Sequence, residues 1–111
     1  MKTTQLQIPI SFYQYAQHIT VEWCQDLAQT QGAVGEELKW TNRIRLQPDC
    51  PSYHRDKEAM EQAFFHEYVH KMFDFAGRED LSADERLVDI CGHLIHEMLA
   101  TAEYGVKNGN R

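Results

Sequence analysis

The residues best suited to do chemistry in this chain are His66, Glu67 and His70, in the run His66-Glu67-Tyr68-Val69-His70. On an α-helix, side chains four positions apart lie one above the other on the same face. Two imidazoles spaced in this way can present nitrogen donors to a single cation. Glu67 points about a quarter-turn away, where its carboxylate can reach a water on that cation without ligating it. The pattern H-E-x-x-H therefore offers two ligands and a general base, and one zinc ion is the expected cofactor. Zinc with three protein ligands and one open position lowers the pKa of its water to about 7. Glu67 is then the expected catalytic residue, removing a proton as the water attacks a peptide carbonyl.

A third protein ligand is needed, and the downstream segment Glu85-Arg86-Leu87-Val88-Asp89 offers one. Its i, i+4 acids resemble the E-x-x-x-D arrangement of gluzincin peptidases, in which the Glu ligates zinc and the Asp orients a ligand histidine. That resemblance makes Glu85 the expected third ligand and Asp89 a supporting residue. Glu85 also stands three residues after Ser82, so closing a capping box is its competing structural role. His93 and His96 are the rival ligands. His96 falls about 16 Å along the same helix from Glu85, so one ion cannot use both. A short return from His70 favours the Glu85 end and leaves His93 and His96 as surface or cleft residues. Glu79, Asp80 and Asp84 read as acids that complement a helix start. Tyr53, His54, Tyr68 and Tyr104 have side chains suited to stabilising an oxyanion, and spacing selects none of them.

These groups require helices to carry them. From Asp56 to Ala76 the chain has helical length without Gly or Pro, and Gly77 supplies a stop. Apolar residues surround nearly the whole wheel of this segment, which predicts a central, buried helix. Two imidazoles and a carboxylate in such a place need partners, because unpaired buried polar groups cost several kcal/mol. A last helix is expected from the S-x-x-E box at Ser82 to about Tyr104, capped by Gly105. Its stripe Leu87, Val88, Cys91, Leu94, Ile95 and Met98, continuing through Leu99 and Ala102, is expected to face the core. Residues 106–111 read as a frayed tail.

The first half reads as strands. Leu6, Ile8 and Ile10 alternate, but Pro9 reduces them to an edge or lead-in. Ile19, Val21 and Trp23 form a half-buried strand, and Leu38 to Leu46 a second, with Ile44 and Leu46 on one face. Gly32 and Gly35 between them predict a turn, and hence an antiparallel hairpin. Gln47 to Tyr53, with two prolines, is a loop.

At 111 residues the chain has the size of one domain, 1–111, and its apolar and charged contents are ordinary for a globule. A net charge of -6 argues against sequence-independent nucleic-acid binding. The basic residues Lys39, Arg43, Arg45, Arg55 and Lys57 are interleaved with acids. No run approaches a membrane span or a signal sequence. Cys24, Cys50 and Cys91 are odd in number and widely spaced, poor material for a disulfide framework, so a reduced, cytoplasmic setting is expected.

Together, Phe64-Phe65-His66-Glu67-Tyr68-Val69-His70, Asp84-Glu85-Arg86-Leu87-Val88-Asp89 and Gly92-His93-Leu94-Ile95-His96 resemble a group of small phage- and prophage-type zincin-like proteins, and more distantly the ImmA/IrrE-type metallopeptidases. The resemblance runs from about Val21 to Leu99. It implies an α+β fold with a minimal zincin-like core: a short antiparallel sheet beside the H-E-x-x-H helix and a C-terminal helix bearing a ligand. It implies zinc held by His66, His70 and Glu85, with Glu67 as base, in a metallopeptidase acting on a protein or peptide. Two alternatives are a non-catalytic, zinc-stabilised regulatory module and a metal-free adaptor with its histidines at a partner-facing cleft.

Overall fold

Turn and cap chemistry divides the chain into four strands and four helices, seen in a computed structural model that describes residues 1–105. Strand β1 (Ser11–Gln14) pairs antiparallel with β2 (Gln17–Trp23) across a two-residue turn. Both turn residues, Tyr15 and Ala16, have positive φ, 51° and 62°. A turn of this hand is usually marked by Asn or Gly, so its sequence carried no signal. β1 was accordingly not foreseen, and the alternating residues ahead of it are a lead-in rather than a strand.

The hairpin expected between β2 and the next strand does not form. Residues after β2 enter a short helix α1 (Leu27–Gln31), closed by Gly32 in the left-handed conformation at φ 66°. Gly35 opens a strand instead of a turn: β3 (Gly35–Glu37) pairs antiparallel with β4 (Arg43–Leu46). β4 in turn pairs parallel with β2, Val21 opposite Ile44. The sheet, ordered β1-β2-β4-β3, is therefore mixed rather than antiparallel, and the single strand expected over Leu38 to Leu46 is broken by a turn at 38–42. Gln47, fully buried, ties α1 to the end of β4: its Oε1 accepts from Ala28 N–H at 2.8 Å and its Nε2 donates to Gln25 O at 2.7 Å.

Helix α2 (Lys57–Phe75) follows its sequence closely. Asp56 caps it by accepting from Ala59 N–H, and Gly77 at φ 72° follows its end. Its Ala63 and Phe64 join Ile19, Val21, Ile44 and Leu46 in the core. Phe12 adds an edge-on contact to Phe64, centroids 5.7 Å apart. On its other side α2 meets α4 (Glu85–Thr101), reached through a one-turn helix α3 (Glu79–Ser82). The cap of α4 is Asp84, accepting from Leu87 N–H at 3.1 Å, and not Ser82. Because α3 carries the chain through Ser82, the capping box cannot form and the hydroxyl is free for other use. α4 ends at Thr101, short of the expected Tyr104, with an extended Ala102 as cap in place of Gly105. The expected tail at 106–111 lies outside the described residues.

The inward face of α4 is rotated from the foreseen one: Val88 is buried as expected and Leu87, Cys91, Ile95 and Leu99 are half-buried, but the centre of the contact lies elsewhere. Val88, Gly92, His96 and Ala100 are buried, while Leu94 and Met98 are exposed. Close approach explains the choice. A Cβ built on Gly92 would stand 3.1 Å from His66 N and 3.2 Å from His66 Cα, so two helix backbones touch where Gly92 leaves room. A stripe of larger side chains would hold the helices apart. No helix among the described residues is long and apolar enough to cross a membrane.

Candidate metal centre

α2 and α4 cross at His66, and that contact brings the expected site residues together. His66 Nε2 lies 3.0 Å and His70 Nε2 3.2 Å from the same atom, Glu85 Oε1. The ligand atoms of these three residues all fall within 4.8 Å of one another, so the group can hold a metal ion. Donors about 2.0–2.1 Å from a tetrahedral zinc stand about 3.3 Å from each other, close to the two histidine–Glu85 separations.

The outer ring nitrogens make a further point. His66 Nδ1 faces Asp89 Oδ1 at 3.3 Å, so both nitrogens of this imidazole meet carboxylates. A neutral imidazole has one N–H and can satisfy only one of them. A second ring proton would satisfy both carboxylates, and a cation between Nε2 and Glu85 would do so too, leaving Nδ1–H to donate to Asp89. His70 is arranged alike, with Ser82 Oγ 3.1 Å from its Nδ1. Asp89, more than half exposed, reaches the His66 ring that the resemblance pairs it with, and the Ser82 hydroxyl meets His70 instead of capping α4.

Glu67 turns the other way, toward β3. It is buried, and a Cβ on Gly35 would come within 2.9 Å of its Oε2. The glycine read as a turn signal is instead what lets the edge strand lie against this carboxylate. Burial, with the nearby charges of Glu37, Glu85 and Glu36, pushes the Glu67 carboxyl up to about 8. A cation held by the adjacent triad acts in the opposite direction.

These groups line one cleft of about 630 Å³ between β3 and the two helices. Arg55 forms part of its wall, its guanidinium donating to Gln47 O (3.2 Å), Val34 O (3.4 Å) and Ala59 O (3.0 Å). It staples the loop before α2 to the strand entering β3, a role with no sequence signal. His93 lies on the cleft rim, Nε2 3.6 Å from Asp89 Oδ2. His96, expected at a surface or cleft, is buried away from the ion site and paired with Glu61 Oε1 at 2.8 Å. Leu6 N–H donates to the other oxygen of Glu61, so this pair secures the N-terminal lead-in. Tyr53, His54, Tyr68 and Tyr104 do not line the cleft; Tyr68 packs on Phe12 instead. Glu79 pairs with Lys39, Asp80 with Arg78, and Asp84 caps α4, as helix-start acids do.

Since Glu85 and Asp89 ride on α4, their placement depends on the Gly92 contact. Gly92→Val is expected to force the helices apart at a cost of about 1–3 kcal/mol and to weaken any metal binding by the triad at least tenfold. Calorimetric zinc titration checks this, and an unchanged affinity would refute the dependence.

Comparison of the chain with protein-family models, with curated proteins and with solved structures returned no match.

Proposed function

We propose that this chain is a zinc-dependent hydrolase of the zincin type that cleaves peptide bonds. The observation that carries the reading is the convergence of His66 Nε2 and His70 Nε2 on Glu85 Oε1, with the Glu67 carboxylate at the wall of the same cleft. Zinc bound there would supply Lewis acidity, polarising a carbonyl and acidifying a water. The chain's own residues do the rest. Asp89 and Ser82 hold the two imidazoles in the tautomer that keeps their Nε2 lone pairs free. Glu67 accepts the proton of the attacking water and returns it to the leaving amine.

A peptide is the favoured substrate class because β3 pairs on one side only, with β4, at the edge of the sheet. An extended chain can add to such an edge through main-chain hydrogen bonds. Gly35 on that strand touches Glu67, so a strand added there passes the site.

The test is elemental analysis of tag-free protein, purified without chelating resin, beside Glu85→Ala. One zinc per chain is expected in the wild type. Removing an ionised ligand is expected to loosen the ion by more than the 10–100-fold typical of losing a residue that merely supports a ligand. Absence of metal in the wild type after zinc has been supplied would end the enzyme reading.

A further inference from the structure

The outward face of α4 is apolar. Ile90, Leu94 and Met98 stand 48%, 61% and 57% exposed, in a stripe at i, i+4 and i+8. At 100° per residue they lie opposite the buried positions Val88, Gly92, His96 and Ala100 that meet α2. The outer face of a surface helix is normally polar, and an apolar stripe there marks an interaction surface.

The charges at its two ends say what fits it. Arg86, one turn before Ile90, is exposed and makes no ion pair among the described residues. The last turn of α4 carries no basic residue, its Ala100 O accepts from Thr4 N–H at 2.7 Å, and Glu97 and Glu103 add negative charge at that end. The face thus has an unpaired cation at one end and two acids at the other, which makes it complementary to itself in antiparallel.

We propose that a second copy of this chain packs on this face, its α4 antiparallel to the first about a two-fold axis through Leu94. In such an isologous contact Leu94 meets the partner's Leu94, and Ile90 meets the partner's Met98. Arg86, about 12 Å from the axis, then reaches the C-terminal end of the partner helix beside the partner's Glu103. A parallel pairing would instead set Arg86 on Arg86 and Glu97 on Glu97. Glu85 and Asp89 lie toward α2, so the pairing leaves the cleft open and does not depend on its chemistry.

One helix pair covers less than the roughly 800 Å² per partner of a standard interface, so the association is weak, with a dissociation constant of about 10–100 μM. Sedimentation equilibrium of the full chain is expected to show the mass rising from one chain to two across that range. Leu94→Glu, at an exposed position, is expected to remain a single chain with an unchanged melting temperature. Arg86→Glu should weaken the dimer at least about tenfold, and adding Glu103→Arg should restore it. A single chain at every concentration would overturn the proposal and leave the face to a different partner. A dimer indifferent to Leu94→Glu would overturn it too, and failure of the double variant to restore association would overturn the antiparallel arrangement.

Discussion

On the proposed hydrolase reading, Glu67→Gln is expected to retain one zinc per chain and to lose hydrolysis by about 10²–10⁴-fold, the usual contribution of a positioned general base. The amide has the size and shape of the carboxylate, so the close fit against Gly35 survives. It does not face the Glu85 oxygen that joins the two histidines, so the ion should stay. What is lost is the capacity to take a proton. Burial and three neighbouring glutamates favour the protonated carboxyl, and a cation bound by the triad would favour the ionised one. The check is mass-spectrometric detection of new termini in a mixture of denatured proteins, with metal content measured on the same samples. Equal cleavage by the two proteins would remove Glu67 from the base role. A wild type that holds zinc and cleaves nothing would favour the non-catalytic, zinc-stabilised module, in which chelation lowers the melting temperature instead.

Lys71→Met is expected to cost about 3–5 kcal/mol of stability, the penalty for leaving one member of a buried ion pair alone. Lys71 is almost wholly buried in α2, immediately after His70. Its ammonium donates to Leu38 O at 3.1 Å and to Thr41 O, which pins the β3–β4 turn onto the helix. It also comes within 3.1 Å of Glu37 Oε1, an ion pair buried on both sides. Burial pushes the Glu37 carboxyl up to about 7 even with Lys71 drawing it down, and Asp74 adds to the rise.

The sign of the pH dependence follows. A carboxyl whose folded pKa is raised holds its proton better folded than unfolded, so its penalty appears as pH climbs from about 4.5 through 7. Without the ammonium the penalty grows. The loss in Lys71→Met should therefore be greatest above pH 7 and smaller near pH 5. Lys71→Met/Glu37→Gln should recover much of it, since no buried charge is then stranded. Urea unfolding at both pH values measures this, and a loss that is the same at each would separate the effect from Glu37.

Much of the candidate site could be read from the chain because its signals are local. The i, i+4 spacings of His66 and His70, and of Glu85 and Asp89, need only a helix to become a face. The limits of α2 were legible for the same reason: Asp56 and Gly77 act within one turn of the ends they set. What the chain by itself determined is therefore two helices, the side of α2 carrying the imidazoles, and the apolar strands of the core. Tertiary structure alone decided how these pieces meet. Whether β2 runs parallel or antiparallel to β4 depends on where α1 and β3 send the chain, and Gly35 looks the same in a turn as in a strand beside a carboxylate. Which face of α4 turns inward was decided by Gly92, whose value lies in the His66 backbone it touches. A hydrophobic count favours the larger side chains, whereas close helix approach favours the smaller. Only that approach brings Glu85 to the two histidines, and it leaves Ile90, Leu94 and Met98 turned outward.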